Sequence, residues 1–130
     1  MGKENFKILV VEDNQMNKIL VREILSLKGY ELMEVSSGVE AVEAVAKFKP
    51  DLVLMDIHLP EMDGETAMRI IKQDEKNTDL PVLALTASAM KGEEENMLGK
   101  GFDGYIPKPI DIKGLIGAVE RYASEAKGDD

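Results

Sequence analysis

In this 130-residue chain, three carboxylates, a hydroxyl and an ammonium group follow short apolar runs. Glu12 and Asp13 follow Ile8 to Val11, Asp56 follows Leu52 to Met55, Thr86 follows Val82 to Leu85, and Lys108 follows Gly104-Tyr105-Ile106 and Pro107. Singly, each has an ordinary explanation, because polar residues routinely end strands and begin helices. Glu12-Asp13 can flank a helix start capped by Asn14, Thr86 can be a cap or turn residue, Asp56 a solvated loop acid and Lys108 an exposed cation. Together they describe a reaction centre. Converging carboxylates raise one another's pKa unless a cation intervenes. Ligands that are all oxygen suit Mg²⁺ or Mn²⁺, which keep several waters and also accept a phosphoryl oxygen. Asp56, alone at the end of its run, is the candidate nucleophile for an aspartyl phosphate. The metal and Lys108 would neutralise charge on the transferring group, and the Thr86 hydroxyl would hydrogen-bond one of its oxygens.

Composition narrows the alternatives. Twenty-five Asp and Glu against sixteen Lys and Arg leave a net charge of -9, which repels nucleic-acid phosphates and anionic lipid, so neither direct DNA binding nor membrane insertion is expected. The chain has no cysteine, which excludes disulfides, thiolate zinc sites and Cys nucleophiles and is compatible with a reducing cytoplasm. His58 is its single histidine, and a lone loop histidine reads most simply as solvated. No apolar run approaches the ~20 residues that span a bilayer, and the polar start has no signal-peptide core. The expected location is the cytoplasm.

The elements that must position these residues follow from hydrophobic period. The runs at Ile8, Leu52 and Val82 are apolar throughout, as strands are when helices cover both faces of a parallel sheet; Leu32 to Val35 and the weaker Gly104 to Ile106 complete five strands. Between them the period lengthens to that of helices. Met16, Leu20, Ile24 and Leu27 mark one face of a first helix stopped by Gly29. Val42, Val45 and Ala46 mark a second; Ala67, Met68, Ile70 and Ile71 a third, starting near Asp63-Gly64; Met90 to Gly99 a polar fourth. Ile112, Leu115, Ile116, Val119 and Tyr122 stripe a fifth, with Asp111 as its N-cap. Glu93-Glu94-Glu95 reads as a solvated helix face, and the eight methionines as core filler. Strict alternation of strand and helix predicts an α/β fold, a doubly wound five-stranded parallel sheet. One domain over residues 1–130 is expected, with a core of about 6–124 and frayed ends, including Ala126 to Asp130. In such sheets ligands bind beyond the carboxyl ends of the strands, the rim that carries all five polar residues.

Four segments carry a resemblance over essentially the whole chain: Val11-Glu12-Asp13-Asn14, Met55-Asp56-Ile57-His58-Leu59-Pro60-Glu61-Met62-Asp63-Gly64, Leu85-Thr86-Ala87 and Tyr105-Ile106-Pro107-Lys108-Pro109. They resemble the receiver domains of response regulators in two-component and phosphorelay signalling, in the stand-alone, single-domain form. The resemblance implies a flavodoxin-like strand order of 2-1-3-4-5 flanked by five helices. It implies that Asp56 is the phosphoacceptor, Glu12 and Asp13 the acidic metal pair, Lys108 the phosphate partner and Thr86 the switch hydroxyl. It further implies that the His58 backbone carbonyl joins Asp56 in the metal shell, that Tyr105 changes rotamer with Thr86, and that the Lys108–Pro109 bond is cis, which proline alone makes cheap. Tyr105 also reads as a fixed core or rim aromatic. Pro107 departs from the family's commoner small or polar residue and removes an amide donor, so the fifth strand should be short or at the sheet edge. His58 and Ser88, two residues beyond Asp56 and Thr86, are similar in position to residues that tune dephosphorylation. Asn14 with Asn17 resembles receivers of hybrid histidine kinases and certain stand-alone cell-cycle regulators.

The function so implied is a switch that accepts a phosphoryl group from a histidine kinase or histidine phosphotransfer protein and controls a downstream protein or relays the group onward. With no output domain in the sequence, a protein contact or onward transfer is the expected output. Two other readings share the residues. A Mg²⁺-dependent phosphatase with an aspartyl-phosphate intermediate would need an Asp-x-Asp on the first strand and a cap insertion, where Val11-Glu12-Asp13 and a compact chain stand. A receiver that is never phosphorylated and acts only by contact would keep the same site.

Overall fold

Each apolar run forms a strand, and every strand outruns its apolar core by a residue or so. The strands are β1 (Lys7–Val11), β2 (Glu31–Val35), β3 (Leu52–Asp56), β4 (Val82–Thr86) and β5 (Gly104–Pro107). They alternate with α1 (Gln15–Ser26), α2 (Gly38–Phe48), α3 (Gly64–Gln73), α4 (Glu93–Lys100) and α5 (Ile112–Lys127), with a 3₁₀ turn at Glu75–Asn77. The computed structural model describes residues 6–87 and 92–127. Ser88 and Met90, singled out above, lie outside the described residues, as do both expected frayed ends except Ala126 and Lys127, which belong to α5.

All five strands are parallel, in the order β2-β1-β3-β4-β5. Although the central strands are apolar on both faces, their side chains still alternate. Ile8, Val10, Leu52, Leu54, Leu83 and Leu85 meet Val21, Ile24 and Leu25 of α1 and Leu115, Val119 and Ala123 of α5. Leu9, Val11, Val53, Met55, Val82 and Ala84 meet Ala41, Ala44 and Val45 of α2, Ala67, Met68 and Ile71 of α3 and Met97 of α4. Each fully buried large side chain contributes about 1.5–3 kcal/mol of transfer free energy, so the two layers fix the sheet between them. β5 has four residues and lies at the sheet edge, where the missing amide of Pro107 is tolerated.

Several helix faces are turned relative to the sequence reading. In α1 the buried residues are Val21, Ile24 and Leu25, whereas Met16 is 74% and Leu27 88% exposed. The row Met16-Leu20-Ile24 competes with Val21-Leu25 one step round the helix, and the helix docks between the two rows. It ends at Ser26, so a helical period no longer places Leu27. Gly29, at φ 83°, then turns the chain toward β2. Ile112 is 55% exposed, because it opens α5 before the helix reaches the sheet, and Ala46 and Ile70 also face outward. Among the described residues the fourth helix runs from Glu93 to Lys100, one residue past the expected end at Gly99.

Candidate functional site

The alternation within the strands sorts the polar residues at their carboxyl ends. Asp56 continues the Leu52-Leu54 row toward α1 and α5, and Glu12, the first residue past β1, continues Ile8-Val10 on that side. Thr86 continues the Val82-Ala84 row toward α3 and α4. Two carboxylates thus meet on one side of the rim while the hydroxyl stands on the other.

Glu12, Asp56 and Thr86 are the buried polar side chains of the described residues, at 0%, 3% and 1% exposure. A ligand oxygen from each of Glu12, Asp13 and Asp56 lies within 4.8 Å of the others. Asp13 is exposed and opens the cluster to solvent. Lys108, which follows β5, reaches in from the loop before α5, placing Nζ 2.9 Å from Glu12 Oε1 and 3.0 Å from Asp56 Oδ2. The Lys108 N–H donates to the Thr86 carbonyl at 2.7 Å, and its bond to Pro109 is cis. The His58 N–H donates to Asp56 Oδ1 at 2.9 Å. Both oxygens of Asp56 are therefore held, one by an amide and one by an ammonium. The imidazole of His58 lies on the exposed side of the rim.

Local structure fixes these positions. Asn14 caps α1 by accepting from the Asn17 N–H at 2.9 Å, while its own N–H donates to Glu12 Oε2 at 3.0 Å, so the helix start clamps the buried glutamate. Asp63 caps α3 by accepting from the Thr66 N–H at 2.9 Å. Gly64 brings that helix against the end of β3: a Cβ there would stand 2.8 Å from Ile57 Cα and closer still to the Asp56 carbonyl oxygen. Asp111 caps α5, with the Gly114 N–H donating to Oδ2 at 2.8 Å, and so anchors the segment that follows Lys108-Pro109.

Electrostatics follow from this packing. Burial pushes the Glu12 carboxyl above its ordinary range and neighbouring Asp56 adds to the push, while Lys108 and the Asn14 N–H pull it back. Burial would lower the Lys108 ammonium, but its hydrogen bonds and charge attraction to Glu12 and Asp56 outweigh that and raise it. Three carboxylates against one ammonium leave an excess of negative charge, and an all-oxygen donor set fits a hard divalent cation.

The structure thus brings together Glu12, Asp13, Asp56 and Lys108 around one point, with His58 and Thr86 on the adjoining rim. Tyr105 is half-buried, packed against the core layer of α2, α3 and α4. One residue of this region was not singled out by sequence. Glu93, read as part of a solvated run, is only half exposed, and its Oε2 accepts a hydrogen bond from Thr86 Oγ1 at 3.4 Å. Its signal is position alone, since it opens the first turn of α4, the helix that follows β4.

Comparison with known proteins agrees with the fold. The family model for the response regulator receiver domain matches residues 8–120. The chain is 40% identical over 119 residues to the polar-differentiation response regulator DivK of Brucella ovis, covering 92% of this chain and 97% of the relative. The solved receiver domain of the sensor histidine kinase PA1611 of Pseudomonas aeruginosa, with a magnesium ion coordinated in its active-site cleft, is 36% identical at a TM-score of 0.82, covering 91% of this chain and 97% of that one. The receiver domain of a signal transduction histidine kinase from Syntrophus aciditrophicus is 32% identical at 0.83, covering 100% and 96%.

Proposed function

This chain belongs to the response regulator receiver domain family, and on that premise we propose that it takes a phosphoryl group onto Asp56 from the phosphohistidine of a histidine kinase or histidine phosphotransfer protein. As a receiver it is a signalling switch, and receivers work with kinases and downstream targets. The observation that carries the proposal is the buried Asp56 carboxylate, held between the Lys108 ammonium and the His58 N–H beside Glu12 and Asp13.

In the proposed step an Asp56 oxygen forms a bond to phosphorus as the phosphorus–nitrogen bond to the donor imidazole breaks, and the electron pair leaves on that nitrogen. The His58 N–H and Lys108 each hold one oxygen of the carboxylate, so little orientation is left to lose. Glu12, Asp13, Asp56 and the His58 backbone carbonyl would hold Mg²⁺, or Mn²⁺, which supplies positive charge against the phosphoryl oxygens. Lys108 neutralises a further oxygen, and the Thr86 hydroxyl hydrogen-bonds another, with Tyr105 following it. The phosphorylated form then shifts an existing equilibrium between two conformations. The face of α4, β5 and α5 presents that shift to a downstream protein, or the group is relayed to another histidine. The setting is the cytoplasm; among the described residues no helix is long and apolar enough to cross a membrane. The phosphatase reading is not favoured by the family match.

Intact-mass analysis after incubation with acetyl phosphate tests the proposal. A single labile phosphoryl adduct that needs Mg²⁺ and is lost in Asp56→Asn is the expected result. Labelling that survives Asp56→Asn would overturn the assignment of the acceptor.

A further inference from the structure

We propose that Glu93 is a latch that holds the Thr86 hydroxyl on α4 in the unphosphorylated protein and gives it up when Asp56 is phosphorylated. The inference rests on the reading of Asp56 as phosphoacceptor. It begins from the alternation in β4. Thr86 lies on the row of Val82 and Ala84, which faces α3 and α4, while Asp56 continues the opposite row of its own strand. The Thr86 side chain therefore starts on the α4 side, where its Oγ1 donates to Glu93 Oε2 at 3.4 Å. A hydroxyl has one proton. It can donate to the carboxylate of Glu93 or to a phosphoryl oxygen on Asp56, and the two bonds exclude each other. At 3.4 Å the present bond is long for O–H···O, so a closer, more highly charged acceptor displaces it.

What Glu93 holds is the first turn of a lightly anchored helix. α4 is bounded by Gly92 at φ 91° and Gly101 at φ 117°, and its N-cap makes no side-chain hydrogen bond. Among the described residues Met97 is its one buried side chain. The Lys100–Glu65 pair at its far end is 3.7 Å long and partly exposed, the kind of ion pair that contributes little. Moving the Thr86 hydroxyl to the phosphate would therefore release the Glu93 carboxylate in the first turn of α4 while Met97 keeps the helix docked. Glu93 acts here as a positioning residue through Thr86, and its carboxylate sets how readily the switch turns.

Beryllofluoride with Mg²⁺, a phosphoryl mimic that binds carboxylates, reads this out by titration of the full chain. Removing an interaction made only in the unmodified state favours the modified one, so Glu93→Ala should bind the mimic about two- to tenfold more tightly, the equivalent of one net hydrogen bond. In a Thr86→Val background the same substitution should give no tightening, because no hydroxyl remains to be released. Thermal melting of each variant checks that it folds, with Thr86→Ala replacing Thr86→Val if needed. Unchanged affinity in Glu93→Ala, or tightening that persists in full without the hydroxyl, would overturn the latch; the second result would reduce Glu93 to a general negative charge. If the wild type binds no beryllofluoride and Asp56 takes no label, the phosphoacceptor reading falls and the latch falls with it.

Discussion

The Lys108 ammonium lies 3.0 Å from Asp56 Oδ2, yet that ammonium is shared, because Glu12 Oε1 stands 2.9 Å from the same nitrogen. One cation thus serves two buried carboxylates, with Asp13 adding a third charge beside them. Repulsion remains uncompensated in the metal-free protein. Asp56→Asn should therefore be more stable than wild type in urea without metal, by on the order of 1 kcal/mol, the surplus of like-charge repulsion over the lost ion pair. Mg²⁺ should narrow or reverse that difference, since a ligand at 100 times its Kd stabilises by about 2.7 kcal/mol.

Lys108→Ala carries the opposite sign. It leaves Glu12 and Asp56 facing each other with no ammonium between them, and stripping one partner from a largely buried ion pair costs about 3 kcal/mol. Urea denaturation of the metal-free variant should show that loss, and Mg²⁺ should recover part of it. A variant as stable as wild type without metal would mean that the two carboxylates are not relying on Lys108.

Two glycines should respond in opposite directions to alanine. At Gly64 the new Cβ meets the backbone of Asp56 and Ile57, which cannot yield as a flexible side chain would, so Gly64→Ala should cost about 2 kcal/mol or more through strain. Gly117 lies inside α5 with nothing within 4 Å of an added Cβ. Gly117→Ala should stabilise the protein by about 0.5–1 kcal/mol through helix propensity. Melting curves of the two variants check both signs.

Asp63 offers a pH test. The Thr66 backbone N–H, helped by the Thr66 side chain, holds its carboxyl below the ordinary aspartate range. A depressed folded-state pKa adds stability above the unfolded-state value, and that stability is lost as pH falls through the folded value. Asp63→Ala should thus cost about 1 kcal/mol near neutrality, the usual worth of an N-cap. The gap between variant and wild type should close in acid, as urea titrations at a series of pH values would show.

Much of the molecule was legible in its residues because the responsible forces are local. Runs such as Leu52 to Met55 can be little other than buried strands, and all five observed strands lie within about a residue of the predicted runs. Asp111 and Asn14 reveal their helix starts through capping chemistry that spans three residues. The polar cluster was legible for the same reason, since each of its members ends a strand or lies within two residues of one. Helix rotation was less legible: α1 offers two adjacent apolar rows, and only the shape of the sheet beneath decides which is buried.

By itself, then, the sequence determined the order of strands and helices, the apolar layers and the identity of the five polar residues at the strand ends, all of them matters of neighbours along the chain. The tertiary structure alone decided how those residues pair. It put Glu12 and Asp56 on one side of the sheet under a shared Lys108, and turned Thr86 to the other side against Glu93. The reason is that parallel pairing sets the strand ends level, while each strand alternates its side chains between two faces. Which face a terminal residue meets, and which helix waits there, is fixed only when all the strands are in register.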